Sequence, residues 1–138
     1  MVGLLVNIDV SDLEAALRFY SEGLGLRLRR RIGAEIAELA GAACPVFLTQ
    51  HERGSSPFRG AATGRSDTRH WTPVHLDFVV ADLEAAAATA ETAGARREGD
   101  VREFDWGRYL VVSDPFGNGL CLLQFKGRGY AEIEGGPP

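Results

Sequence analysis

Residues 10–16 read VSDLEAA and residues 80–86 read VADLEAA. An offset of 70 sets Val10 on Val80, Asp12 on Asp82, Leu13 on Leu83 and Glu14 on Glu84. Each copy follows a strand-like run, LLVNIDV (4–10) or VHLDFVV (74–80), and opens a helix-like run. Each half then closes on an apolar strand that carries a late Gln, PVFLTQ (45–50) and LCLLQF (120–125). A repeat of this length is one supersecondary unit used twice. Two such units can bury each other's open faces and leave a cleft between them.

The first copy reads βαβββ. A strand near 3–10 alternates Leu4, Val6, Ile8 and Val10 against Leu5, Asn7 and Asp9. Ser11 or Asp12 then caps a helix whose apolar stripe is Leu13, Ala16, Leu17 and Tyr20, ended by Gly23 and Gly25. Strands follow near 26–32, 34–40 and 44–50. The first of these, LRLRRR (26–31), reads as a half-buried strand with one solvated face. The second copy repeats the order. Its first strand, near 73–80, sets Val74, Leu76, Phe78 and Val80 against His75, Asp77 and Val79. An alanine-rich helix over 82–93 ends at Gly94, and strands near 96–104, 108–113 and 119–125 follow, the last two joined by the turn DPFGNG (114–119). The expected organisation is one domain over 1–138: module one to about 50, a connection over 51–70, module two over about 71–126, and a tail over 127–138. The connection is rich in Gly, Ser and Arg and has almost no periodicity, which marks it as mobile or functional.

At 138 residues the chain is long enough to bury about two-thirds of its unfolded surface. Its net charge of −4 offers no basic excess for nucleic acid, and no stretch approaches a membrane span. No signal-peptide pattern opens it, and Cys44 and Cys121 make no disulfide framework, so the expected setting is the reducing cytoplasm.

One face of each first strand is apolar and belongs under its helix. The other carries Asn7, Asp9, His75 and Asp77, and polar residues on a central strand face solvent or a wet cleft. Trp71, Phe104, Trp106 and Tyr109 gather in the second copy, where they either cap sheet ends or stack on a planar ligand.

The doubled strand followed by V-x-D-L, the run FYSEGLGL (19–26), VHLDFVVADLEAA (74–86), DPFGNGLCLLQF (114–125) and the GRGY extension (127–130) resemble the vicinal oxygen chelate superfamily. That superfamily contains glyoxalase I, bleomycin-resistance proteins and extradiol dioxygenases. The resemblance covers roughly residues 3–126. It implies an α+β fold of two tandem βαβββ modules, forming a curved eight-stranded mixed sheet with a concave ligand cleft. It also implies four metal-ligand positions, on the first and last strands of each module. These fall on Leu5, Phe47, His75 and Cys121. Leu5 and Phe47 have no donor atoms, so no metal and no cofactor are expected.

The expected ligand-binding residues are Leu5, Asn7, Asp9, Phe47, His75, Asp77, Trp106 and Cys121. His75 is the candidate catalytic residue. It either lines the cleft or acts as a general base oriented by Asp9 or Asp77. Cys121 is either a small core residue or a nucleophile activated by His75. The leading expectation is a metal-independent protein that sequesters or transforms a small organic ligand, and whose other partner is a second copy of itself in a homodimer. The alternatives are a metal-dependent lyase or dioxygenase with an atypical metal site, and a scaffold without a ligand.

Overall fold

A computed structural model describes residues 1–135. Its element order is β1 (Val6–Val10), α1 (Leu13–Arg18), β2 (Arg27–Ile32), β3 (Ile36–Ala40), β4 (Val46–Gln50), β5 (Leu76–Val79), α2 (Leu83–Thr92), β6 (Arg96–Phe104), β7 (Gly107–Ser113) and β8 (Gly119–Phe125). A turn of π-helix, Phe19–Gly23, extends α1, and a 3-10 turn, Gly129–Glu132, follows β8. This is βαβββ twice, in an α+β fold. The eight strands form two four-stranded mixed sheets, ordered β1-β4-β3-β2 and β5-β8-β7-β6.

The registers match between the halves. Parallel pairing sets Val6 on Val46 and Asn7 on Phe47 in one sheet, and Leu76 on Leu120 and Asp77 on Cys121 in the other. Phe47 and Cys121 therefore hold equivalent places, as the sequence repeat requires.

The repeated residues also have a common structural cause. Asp12 and Asp82 cap their helices by accepting from the amides of Ala15 and Ala85 at 3.0 and 3.1 Å. The late Gln of each last strand does a second job at the same helix end. Gln50 Oε1 accepts from the Leu13 amide at 2.7 Å, and Gln124 Oε1 from the Leu83 amide at 2.8 Å. The first amides of a helix have no intrahelical partner. Here Asp supplies one and Gln another, so each last strand is tied to the start of its own helix.

One apolar cluster runs through both halves, including Ile8, Leu13, Phe19, Leu39 and Leu48 from the first and Leu83, Leu110, Val112 and Leu122 from the second. The modules pack tightly at Gly23, where an added Cβ would stand 3.0 Å from the Ala93 Cβ. A polar tie joins them as well. Asp114 is 2% exposed. Its carboxylate accepts from the Tyr20 hydroxyl at 2.7 Å, from the amides of Phe116 and Asn118 at 2.8 and 2.9 Å, and from the Asn118 side chain at 2.9 Å. A buried carboxylate needs such donors to offset its lost hydration. Burial first, and then the charge and hydrogen bond of Asp114, hold the Tyr20 hydroxyl well above the usual tyrosine range.

Three expectations need correction. Leu4 and Val74 are 71% and 75% exposed rather than buried, because pairing starts only at Val6 and Leu76. Leu76 and Phe78 are only partly buried. β2 is exposed along its whole length, with neither face covered, since it is the outer strand of its sheet. Its basic run serves Glu38 instead. A register shift between Leu28 and Arg30 lets Arg29 and Arg30 both reach that carboxylate, at 3.3 and 2.7 Å.

Candidate functional site

Registered neighbours on adjacent strands point to the same side of a sheet, so rows across each sheet can be compared. In module one the row is Asn7, Phe47, Glu38, Arg30. In module two it is Asp77, Cys121, Val111, Glu98. The first row is filled by a phenyl ring and a closed Glu38–Arg30 ion pair. The second has a small thiol and a valine in the middle. The difference in side-chain bulk leaves room over module two.

That room is a cavity of about 360 Å³ lined by, among others, His75, Asp77, Cys121, Trp106 and Tyr109. It lies near the lower end of the roughly 300–1,000 Å³ usual for small-molecule sites. His75, Asp77 and Cys121 form its polar floor. His75 Nε2 is 3.2 Å from Asp77 Oδ1, so side-chain reach brings the imidazole onto this carboxylate. Burial, followed by the adjacent Asp77 carboxylate, pushes the Cys121 thiol up to about 11 from 9.0.

The wall is aromatic. Trp106 stacks on Phe104 at 5.2 Å and 10°, and Phe104 stacks in turn on Tyr109 at 5.7 Å and 3°. Tyr130 leans on Trp106 at 4.8 Å. Arg102 lies 5.5 Å from the centre of the Phe104 ring and donates to the Tyr109 hydroxyl at 3.0 Å. These contacts fix the orientation of the Trp106 ring at the cavity wall before a ligand arrives. Trp71, Thr72 and Arg69 complete the rim. Arg69 pairs with Glu98 and lies over Gly119, where an added Cβ would collide with its guanidinium.

The expected site residues divide into two groups. His75, Asp77, Trp106 and Cys121 come together in this cavity. Asn7 and Asp9 border a smaller depression of about 270 Å³ that shares His75 with it. Asp9 is also held by the connection, accepting from Arg65 Nε at 2.8 Å, with His51 at 3.6 Å. The connection is thus fastened over the end of β1, and it is fixed again where Ser11 and Arg53 both donate to Asp67. Leu5 is exposed and Phe47 half-buried, and neither lines the module-two cavity. Arg69, Thr72 and Tyr130 line it without having been singled out in the sequence. Arg69 and Thr72 lie in or beside the aperiodic connection, and Tyr130 lies in the tail, where no alternation marks a face.

The four-ligand metal site that the superfamily implies does not fit these residues. Leu5 and Phe47 offer no oxygen, nitrogen or sulfur, so an octahedral ion would lose both module-one ligands.

Residues 5–123 match the family described as the glyoxalase-like domain. The comparison with curated proteins returns no match. Among solved structures, a glyoxalase/bleomycin resistance protein/dioxygenase family enzyme from Burkholderia phytofirmans PsJN superposes with a TM-score of 0.71 at 19% identity, over 88% of this chain and 97% of that one. A member of the glyoxalase/bleomycin resistance protein/dioxygenase superfamily from Sphaerobacter thermophilus DSM 20745 gives 0.66 at 24% identity, over 90% and 97%. A glyoxalase-related enzyme from Fulvimarina pelagi gives 0.68 at 18% identity, over 90% and 87%. Identities this low speak to the fold.

Proposed function

This chain belongs to the glyoxalase-like domain family, and within that family we propose that it binds a flat aromatic or heteroaromatic small molecule in the module-two cavity, without the superfamily's four-ligand metal. One observation carries the reading: Trp71, Trp106, Tyr109 and Tyr130 all line a cavity whose floor is the His75–Asp77 pair. Aromatic faces supply area and stacking, and the floor supplies one oriented polar anchor. His75 hydrogen-bonds a polar substituent of the ligand, and Asp77 holds the imidazole in place.

Binding is favoured over thiol catalysis. Burial and the neighbouring Asp77 carboxylate push the Cys121 thiol up to about 11, which favours at pH 7 the protonated form that is not a nucleophile. The protein acts as a sequestering partner in the cytoplasm, as a homodimer. The exposed Leu4, Leu5, Val74 and Val79, on or beside the unpaired edges of β1 and β5, support the pairing of two copies. Among the described residues no helix is long and apolar enough to cross a membrane.

The test uses the chain's own fluorophores. Its two tryptophans both line the cavity, so intrinsic fluorescence reports occupancy directly. Titration with naphthols, quinolines, flavones and anthraquinones should give saturable one-to-one quenching with at least one class, together with a raised melting temperature. Quenching that never saturates with any of them would remove the reading.

A further inference from the structure

We propose that His75, Asp77 and Cys121 form a three-ligand site for a borderline-soft divalent ion of the zinc class, built wholly on module two. The site differs from the superfamily's. It takes nothing from module one, and Asp77, which stands at none of the four inherited positions, supplies the third donor.

The argument is geometric. Asp77 and Cys121 are registered neighbours on the parallel strands β5 and β8, so hydrogen-bonded backbone fixes their separation. His75 precedes Asp77 by two residues and points to the same face. One donor atom from each of the three lies within 4.8 Å of the others, and the imidazole–carboxylate edge is already 3.2 Å. With zinc–nitrogen and zinc–oxygen bonds near 2.1 Å and zinc–sulfur near 2.3 Å, tetrahedral donors stand roughly 3.4–3.6 Å apart. Contraction of about 1 Å on the sulfur side closes the set. The His75 and Asp77 side chains, 59% and 41% exposed, can turn to make it.

The donor chemistry selects the ion. One imidazole, one carboxylate and one thiolate suit zinc or cobalt, whereas magnesium, calcium and manganese favour sites built from oxygen donors. Three protein ligands leave the fourth tetrahedral position open towards the cavity, the arrangement of zinc sites that also take an exogenous group. On binding, the Cys121 thiol gives its proton to solvent and its sulfur coordinates as thiolate, with nothing oxidised or reduced. The assignment does not rest on the planar-ligand reading, since the donors are in place whatever fills the space above them.

The experiment starts from EDTA-stripped, full-length protein. Calorimetric titration with zinc should give close to one equivalent. Cobalt should give a thiolate-to-metal charge-transfer band with tetrahedral visible absorption. Cys121→Ser should abolish that band, and Asp77→Asn and His75→Gln should each weaken zinc binding at least tenfold. Cys44→Ser and His51→Ala should leave it unchanged, and far-ultraviolet circular dichroism of each variant checks its folding. No stoichiometric zinc, a charge-transfer band that survives Cys121→Ser, or calcium bound as tightly as zinc would each overturn the site. The naphthol and quinoline titrations are run on the same stripped protein with EDTA present. A failure of planar-ligand binding is therefore read separately from a failure of metal binding.

Discussion

Tyr20→Phe isolates the tie between the modules. It removes one oxygen and leaves the ring, which packs edge-on against Phe19 at 5.0 Å, so no cavity term enters. What is lost is the 2.7 Å hydrogen bond to Asp114. Asp114 keeps three donors, but at 2% exposure no solvent can replace the fourth. A hydrogen bond to a charged group is worth about 1.5–3 kcal/mol. For a chain of this length that corresponds to a melting temperature lower by roughly 5–15 °C. Urea denaturation at pH 7 should show a lower midpoint with an unchanged slope. In an Asp114→Asn background the same substitution should cost only about 0.5–1.5 kcal/mol, the value of a neutral bond. The pH dependence has a definite sign. The folded Tyr20 pKa lies well above its unfolded value of about 10, so the stability gained from the protonated hydroxyl is complete below about pH 10 and lost as pH rises towards the folded value. The gap between wild type and Tyr20→Phe should therefore narrow above pH 10. A cost below about 0.5 kcal/mol at pH 7, or an equal cost in both backgrounds, would refute the reasoning.

Gln50→Ala and Gln124→Ala should each cost about 0.5–1.5 kcal/mol in chemical denaturation, and by similar amounts, because each removes the same bond to a helix's first amide. Leu122→Ala, at a fully buried position, should cost about 2–5 kcal/mol, whereas His75→Ala should stay within about 0.5 kcal/mol while weakening ligand binding. Phe78→Ala should fall below the cost of a fully buried phenylalanine, since Phe78 is only partly covered. In Cys44→Ser protein kept in EDTA, alkylation of Cys121 by iodoacetamide at pH 9 should run roughly fiftyfold slower than for a thiol of ordinary pKa, and should climb steeply up to about pH 11.

The fold was legible because it is written twice. VSDLEAA and VADLEAA place a strand end, an aspartate cap and a helix start at matched points, and the two late glutamines mark the strands that fasten those helices. Most strands from β2 onward fall within a residue or two of their expected bounds. The first strands are shorter than expected. Alternation at Leu4 and Val74 predicts burial, but burial needs a covering element, and none reaches them within one chain. LRLRRR predicts a half-covered strand by the same logic, and its place at the sheet edge defeats it.

The site was half legible. The offset of 70 singled out His75 and Asp77, and the aromatic cluster singled out Trp106 and Tyr109. The sequence could not show that the cavity belongs to one module alone. That follows from Phe47 standing where the other copy has Cys121, with Glu38 closed by two arginines beside it. Nor could it show Arg69 and Thr72 at the rim, because the connection that places them has no periodicity to read.

The central claim is that ligand binds over module two, against Trp106, and not over its module-one counterpart. Its most direct measurement is the dissociation constant of the best-binding planar compound for Trp106→Ala and Phe47→Ala, read by thermal shift and calorimetry. The account predicts a loss of about tenfold or more for Trp106→Ala, from the missing stacking face, and no change for Phe47→Ala. Equal losses in both variants, or a loss confined to Phe47→Ala, would contradict it.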